Sequence, residues 1–228
     1  MPHAIANSTY TRYVSGGAPV TAYTTAAGAV DRLIEHIDGA REPTYNYLYV
    51  PNVDTAQHVY GPHADQTRAT LAEADQQLTR LAEGLRGRGR LVASADHGLI
   101  EVPDRGKHLL RPDDELLELL VVPPTGEPRV PFFHARAGRA DEFRRRFHER
   151  FGESYALLSI DEVENLGLLG PAPLADATRR RVGDFVALTD RPEILLYGPP
   201  VYHREAAAQR GYHGGLAPAE MRIPLVVA

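Results

Sequence analysis

Two short β-rich runs bracket one long amphipathic helix, and this spacing constrains the fold more than any other feature of the chain. Residues 45–50 (YNYLYV) are rich in β-forming side chains and end at Pro51, the signature of a buried strand. Residues 66–86 carry Leu71, Ala74, Leu78, Leu81 and Leu85 at alternating spacings of three and four, which is one face of a helix. Gly87 and Gly89 close it, and residues 90–95 (RLVASA) form a second apolar run. Strand, helix and strand within about 50 residues make a βαβ unit, which requires a parallel pair. Burying the four leucines would contribute about 6–12 kcal/mol before entropy is subtracted.

The remaining pattern is also α/β. Residues 26–37 place Val30, Leu33, Ile34 and Ile37 on one stripe, with Gly39 as a stop. A strand is expected at 129–135, an amphipathic helix at 139–151, a strand at 155–158 and a short helix at 161–166. Runs 184–188 and 193–197 read as a strand pair, and 223–227 as a terminal strand. The first 25 residues read as loop with one short strand. Proline and glycine are spread along the chain, with no linker, repeat or low-complexity tract. With 43% hydrophobic residues in a chain of 228, a sizeable core is available. The expected fold is α/β: a single domain over 1–228, with a mostly parallel sheet flanked by helices.

Composition excludes several function classes. Twenty-five Lys and Arg against 30 Asp and Glu leave a scattered net charge of −5, which argues against a nucleic-acid partner. There are no cysteines, so disulfides, thiolate ligands and a Cys nucleophile are excluded, and any metal must be held by His, Asp or Glu. Residues 1–8 lack a basic segment followed by an apolar run, and no run approaches the ~20 apolar residues that span a bilayer. The chain is expected to be soluble and cytoplasmic, with no membrane partner.

Three segments carry chemistry, each beside an expected strand, where open α/β sheets collect ligands. Asp54 and His58 are four apart, so one helical turn puts both on one face. Asp96 and His97 leave the strand at 90–95 and are followed by Gly98; a carboxylate and an imidazole against a dry core need a partner such as a divalent cation. His213 stands between Gly211 and the pair Gly214–Gly215, which allows close backbone approach. Each segment alone also fits a plainer reading: a solvated Asp/His pair, a strand-end cap, a turn with an incidental histidine. His63 at the start of the long helix reads as a surface histidine. Lys107 and His108 read as a solvated loop, Arg144–Arg146 as a solvated helix face, and Tyr45, Tyr47 and Tyr49 as strand packing. Together the three segments supply three His and two carboxylates, donors that suit Zn²⁺ or a similar ion.

In this order the segments resemble the type I phosphodiesterase and nucleotide pyrophosphatase family of the alkaline phosphatase superfamily. The matching text is YVPNVDTAQHVYGP at 49–62, ASADHGL at 93–99 and YHGGLAPAEMRIPLVV at 212–227. NLGLLG at 165–170 and RVGD at 181–184 are similar to the family as well. The resemblance implies an alkaline-phosphatase-like fold and hydrolysis of phosphodiester or nucleotide pyrophosphate bonds by two-zinc in-line phosphoryl transfer. It implies that Asp54, His58 and His213 hold one Zn²⁺ and that Asp96 and His97 hold the second. The same donors accept Mn²⁺ or iron. The partner implied is a small phosphorylated, nucleotide-like substrate.

The chain also departs from the family. Members carry a metal-ligand Asp on the first core strand and a Thr or Ser nucleophile at a helix start, both upstream of the matched region. No apolar strand followed by Asp precedes residue 45. Ser8, Thr9, Thr11, Ser15, Thr21, Thr24 and Thr25 have no evident helix-start context. The expectation is the C-terminal part of a family member, lacking its first core strand, with one zinc site complete and half of the other. Three functions follow: the hydrolase; an inactive or partner-requiring zinc-binding fragment; or a phosphonate hydrolase, sulfatase or phosphomutase of the superfamily. A sheet missing a strand also invites a homo-oligomer or a missing N-terminal segment as its cover.

Overall fold

A computed structural model describes residues 1–198 and 208–228. The chain forms two compact units. The first holds Met1–Gln57, His63–Ala95 and Pro224–Ala228; the second holds His58–Pro62 and Asp96–Ile223.

In the first unit two helices form the core. Helix α2 (Ala26–Asp38) packs Val30 on Leu81 and Leu85 of α4 (Asp65–Gly84) and its C-cap, with Leu33, Ile34 and Ile37 half-buried around them. Leu71 is 55% exposed, so two of the four leucines are fully buried and contribute about 3–6 kcal/mol. The N-terminal region holds a helix rather than a strand: α1 (Thr9–Val14) is capped by Ser8, whose Oγ accepts from Thr11 N at 3.0 Å. Thr25 likewise caps α2 by accepting from Gly28 N at 3.1 Å. Both hydroxyls therefore do stand at helix starts, contrary to the sequence expectation.

Among the described residues the expected strand at 45–50 forms no ladder. Leu48 packs on the α2/α4 core and the Tyr23 hydroxyl donates to the Tyr49 carbonyl, but Tyr45 and Tyr47 are exposed. The βαβ unit accordingly has no first strand. Strand β1 (Val92–Ser94) pairs instead antiparallel with β10 (Leu225–Val227), Ala93 opposite Val226.

The second unit is built on a four-stranded antiparallel sheet in the order β4 (Thr125–Glu127), β5 (Val130–Phe133), β7 (Phe185–Leu188), β6 (Ala156–Ser159). Helix α5 (Ala140–Phe151) repeats phenylalanine every fourth residue. Phe143, Phe147 and Phe151 thus share one face and pack on Phe133, Phe185 and Tyr155 in the main core. Phe133 lies 5.0 Å from Phe143, centroid to centroid. Helix α6 (Ile160–Asn165) starts at a capping box made by Ser159 and Glu162, and α7 (Asp176–Val182) ends against β7.

Strands β3 (Lys107–Leu110) and β8 (Ile194–Tyr197) form the one parallel ladder among the described residues. The α/β class holds; among the described residues most strand pairs are antiparallel, where the sequence suggests a mostly parallel sheet. The expected pairing of 184–188 with 193–197 does not form. The fully buried guanidinium of Arg129 takes the carbonyls of Thr189, Arg191 and Glu193, which turns the chain out of one sheet and into the other. Lys107 and His108 are strand residues, not loop: Lys107 Nζ reaches Asp104 at 3.0 Å and His108 Nε2 meets Glu193 at 2.8 Å.

Candidate metal centre

Helix α3 (Asn52–Tyr60) follows Pro51. Asp54 and His58 stand one turn apart on it, as their spacing predicts. Asp54 lies in the first turn, where the helix dipole favours a carboxylate. The last turn is anchored by its backbone, since Arg210 N donates to the His58 carbonyl at 2.8 Å. The His58 ring is oriented too: Nδ1 lies 2.8 Å from the Gly211 carbonyl. A carbonyl only accepts, so Nδ1 carries the proton and Nε2 presents the lone pair.

His213 leaves directly from a buried strand. Strand β9 (Gly211–Tyr212) pairs antiparallel with β2 (Ile100–Glu101), and Tyr212 is buried with Val102 and Ile194. Burial, and secondarily the Asp104 charge, push the Tyr212 phenol up to about 12. After His213 the chain turns at Gly214, whose φ of +100° suits glycine. A Cβ on Gly215 would lie 2.5 Å from Arg129 Nη2, so this turn closes only with glycine there.

Asp96 and His97 occupy the turn between β1 and β2. His97 Nδ1 lies 3.1 Å from the Gly98 carbonyl, which again leaves Nε2 as the lone-pair nitrogen. The ring stacks on His213 at 3.7 Å between centroids and 11° from parallel, while His58 meets His213 edge-on at 5.2 Å. The Asp96 carboxylate is 81% exposed, with Oδ1 3.7 Å from His97 Nε2.

Asp54, His58 and His213 form a group whose ligand atoms all lie within 4.8 Å of one another, and all three residues are half-buried. One carboxylate and two imidazoles bind Zn²⁺ at about 2.0–2.2 Å, so the donor set fits one divalent ion. Zn²⁺ on this set would keep a net charge of about +1, suited to an anionic substrate. Asp96 and His97 do not join a three-donor group among the described residues.

Sequence reasoning passes over two residues that support this region. Arg129 and Glu220 form an ion pair with side chains 0% and 1% exposed. Arg129 is an arginine at the head of an apolar strand, VPFF, which is the one local signal. Nothing in the pattern around Glu220 marks it as a buried partner. Burying such a pair is unfavourable unless every donor and acceptor is used. Here Glu220 takes Arg129 Nε and Nη2 at 2.5 and 2.7 Å and the amides of Gly215 and Ala217 at 2.8 and 3.2 Å.

The profile of the family "Type I phosphodiesterase / nucleotide pyrophosphatase" matches residues 5–214. Venom phosphodiesterase 2 of Crotalus adamanteus is 37% identical over 68 residues, covering 28% of this chain and 8% of that protein. The venom phosphodiesterase of Naja atra is 37% identical over 65 residues, covering 26% and 8%. Among solved structures, human ectonucleotide pyrophosphatase/phosphodiesterase 5 superposes with a TM-score of 0.68 at 18% identity, over 92% of this chain and 53% of that one. An inactive variant of the murine protein, solved in complex with AMP, superposes with a TM-score of 0.64 at 20% identity over the same shares. The chain thus spans about half the length of the structures it matches, and its aligned segment spans under a tenth of the venom enzymes.

Proposed function

The chain belongs to the type I phosphodiesterase/nucleotide pyrophosphatase family, and we propose that it serves metal-dependent hydrolysis of phosphodiester or nucleotide pyrophosphate bonds. The observation that supports this reading is the convergence of Asp54, His58 and His213 from two distant segments into one donor group. Asp54, His58 and His213 are the proposed ligands of one Zn²⁺. Asp96 and His97 are the proposed contribution of this chain to a second. Bound there, divalent cations supply positive charge that stabilises phosphoryl oxygens and eases ionisation of an attacking hydroxyl.

The other work falls to the chain itself. The Gly211 carbonyl fixes the His58 tautomer, so its Nε2 lone pair is presented without a competing proton. The stacked His97 and His213 rings place two imidazoles within a few ångströms, so donors for two ions would share one wall. Asp96, exposed, is open to solvent and to what solvent carries.

A second reading is that these residues bind zinc without turning over substrate alone. It is favoured by the donor count: among the described residues only Asp54, His58 and His213 form a three-donor group, and Asp96 and His97 join none. One experiment addresses both readings: hydrolysis of bis-p-nitrophenyl phosphate by the purified chain with Zn²⁺ supplied, beside His213→Ala, with zinc content measured on each. Turnover and zinc both lost in the variant support the hydrolase. About one zinc bound without turnover supports the second reading. Zinc content unchanged in His213→Ala refutes the ligand assignment.

A further inference from the structure

We infer that the buried Arg129–Glu220 pair is a positioning device that sets the gap between the two histidine-bearing turns. The inference rests on the reading of His213 as a metal ligand, and it assigns a task to residues far from it in sequence.

Both turns are fastened to the same short helix. Glu220 lies in α8 (Pro218–Met221). Its carboxylate accepts from Gly215 N at 2.8 Å, two residues beyond His213. Its backbone carbonyl accepts from Gly98 N at 2.8 Å, one residue beyond His97. One residue thus holds the His213 turn by its side chain and the His97 turn by its main chain. The result is the 3.7 Å stack of the two rings.

Glu220 is fixed in turn by Arg129. The guanidinium is held from the other side by the carbonyls of Arg191 at 2.6 Å, Glu193 at 2.9 Å and Thr189 at 3.3 Å. Those carbonyls connect β7 to β8, so the clamp is tied to the four-stranded sheet and to the β3–β8 pair. A planar five-donor fork can span a carboxylate and three carbonyls at once; an ammonium cannot. A fully buried charge pair does not improve on apolar packing for stability alone. A role in geometry accounts for its presence at this position.

Glu220→Gln and Arg129→Lys test this in the full chain, each confirmed folded by circular dichroism. Glutamine keeps the shape and one acceptor but places an amide against Arg129 and Ala217 N. Lysine keeps the charge and loses the fork. Two readouts are needed: zinc affinity by competition with a chelating dye, and the imidazole signals of His97 and His213 by nitrogen–proton NMR of the metal-free protein. The expected results are a loss of about tenfold or more in zinc affinity, in line with outer-shell substitutions, and movement of both ring signals as the stack opens. A folded variant with unchanged affinity and unchanged ring signals overturns the inference. If the wild-type chain binds no zinc yet the ring signals move in the variants, the metal reading fails and the positioning role stands. Should neither variant fold, amide exchange of Gly215 in the wild-type chain decides. Protection matching that of the β5 and β7 amides supports the clamp, and exchange at the rate of a surface turn overturns it.

Discussion

Gly98 sits so close to Ala219 that a Cβ at residue 98 would lie 2.0 Å from the Ala219 carbonyl oxygen. The obstacle is backbone, not the tip of a mobile side chain, so no rotamer change relieves it. The requirement for glycine in the Asp-His-Gly turn is therefore close approach, since Gly98 has no positive φ.

Gly98→Ala is expected to lose about 1–3 kcal/mol of stability, the usual range for forced overpacking. It should also separate His97 from His213, because the Gly98 amide is the tie to Glu220. Urea unfolding measures the first effect and the imidazole NMR signals the second. Wild-type stability with unchanged ring signals would contradict the geometry.

Zinc should act as a stabilising ligand through Asp54, His58 and His213. At about 100 times its dissociation constant it should raise unfolding free energy by about 2.7 kcal/mol, with full reversal by a chelator. His58→Ala and His213→Ala should each abolish most of this gain, because three donors fall to two. Thermal unfolding with and without zinc for the three proteins is the measurement. An equal zinc effect in all three would place the ion elsewhere.

The sequence makes one half of this site legible and conceals the other. Asp54 and His58 are readable because helical periodicity is local, and the four-residue spacing carries the geometry with it. The stack of His97 on His213 joins segments more than a hundred residues apart, and only the family resemblance puts those residues in one site. Arg129 and Glu220 escape because a buried ion pair leaves no periodic trace at either end. In the fold, the phenylalanine face of α5 is legible, since burial and period agree there. The run 45–50 misleads because β-propensity describes a side-chain surface, and among the described residues this run forms no ladder. Leu71 misleads because α4 extends beyond the partner helix that buries Leu81 and Leu85.

Phe147 tests the core of the second unit. It is fully buried and contacts Phe133, Phe143, Phe151 and Tyr155 through ring packing. Phe147→Ala should destabilise by about 3–5 kcal/mol, the transfer and cavity cost of a buried phenylalanine. Denaturant unfolding gives the value. A loss under about 1 kcal/mol would mean that this core is not packed as described.

Glu193 gives the fold an acid-sensitive joint between β3 and β8. Burial alone would raise its carboxyl, but hydrogen bonds from Ser154 and His108, with the His108 and Arg191 charges, carry it below the ordinary value of 4.5. A carboxyl lowered by folding binds its proton more readily in the unfolded chain. Its contribution is therefore complete above 4.5 and is lost as pH falls through the lower folded-state value. Other carboxylates, Glu142 and Glu162 among them, are lowered by neighbouring groups and add to the same acid slope. Glu193→Gln isolates the one contribution. The variant should be less stable than wild type at pH 7, and the difference between them should shrink as pH drops below 4.5. Urea unfolding of both proteins across that range is the measurement, and a difference that stays constant with pH would show that the His108–Glu193 contact does not carry the effect.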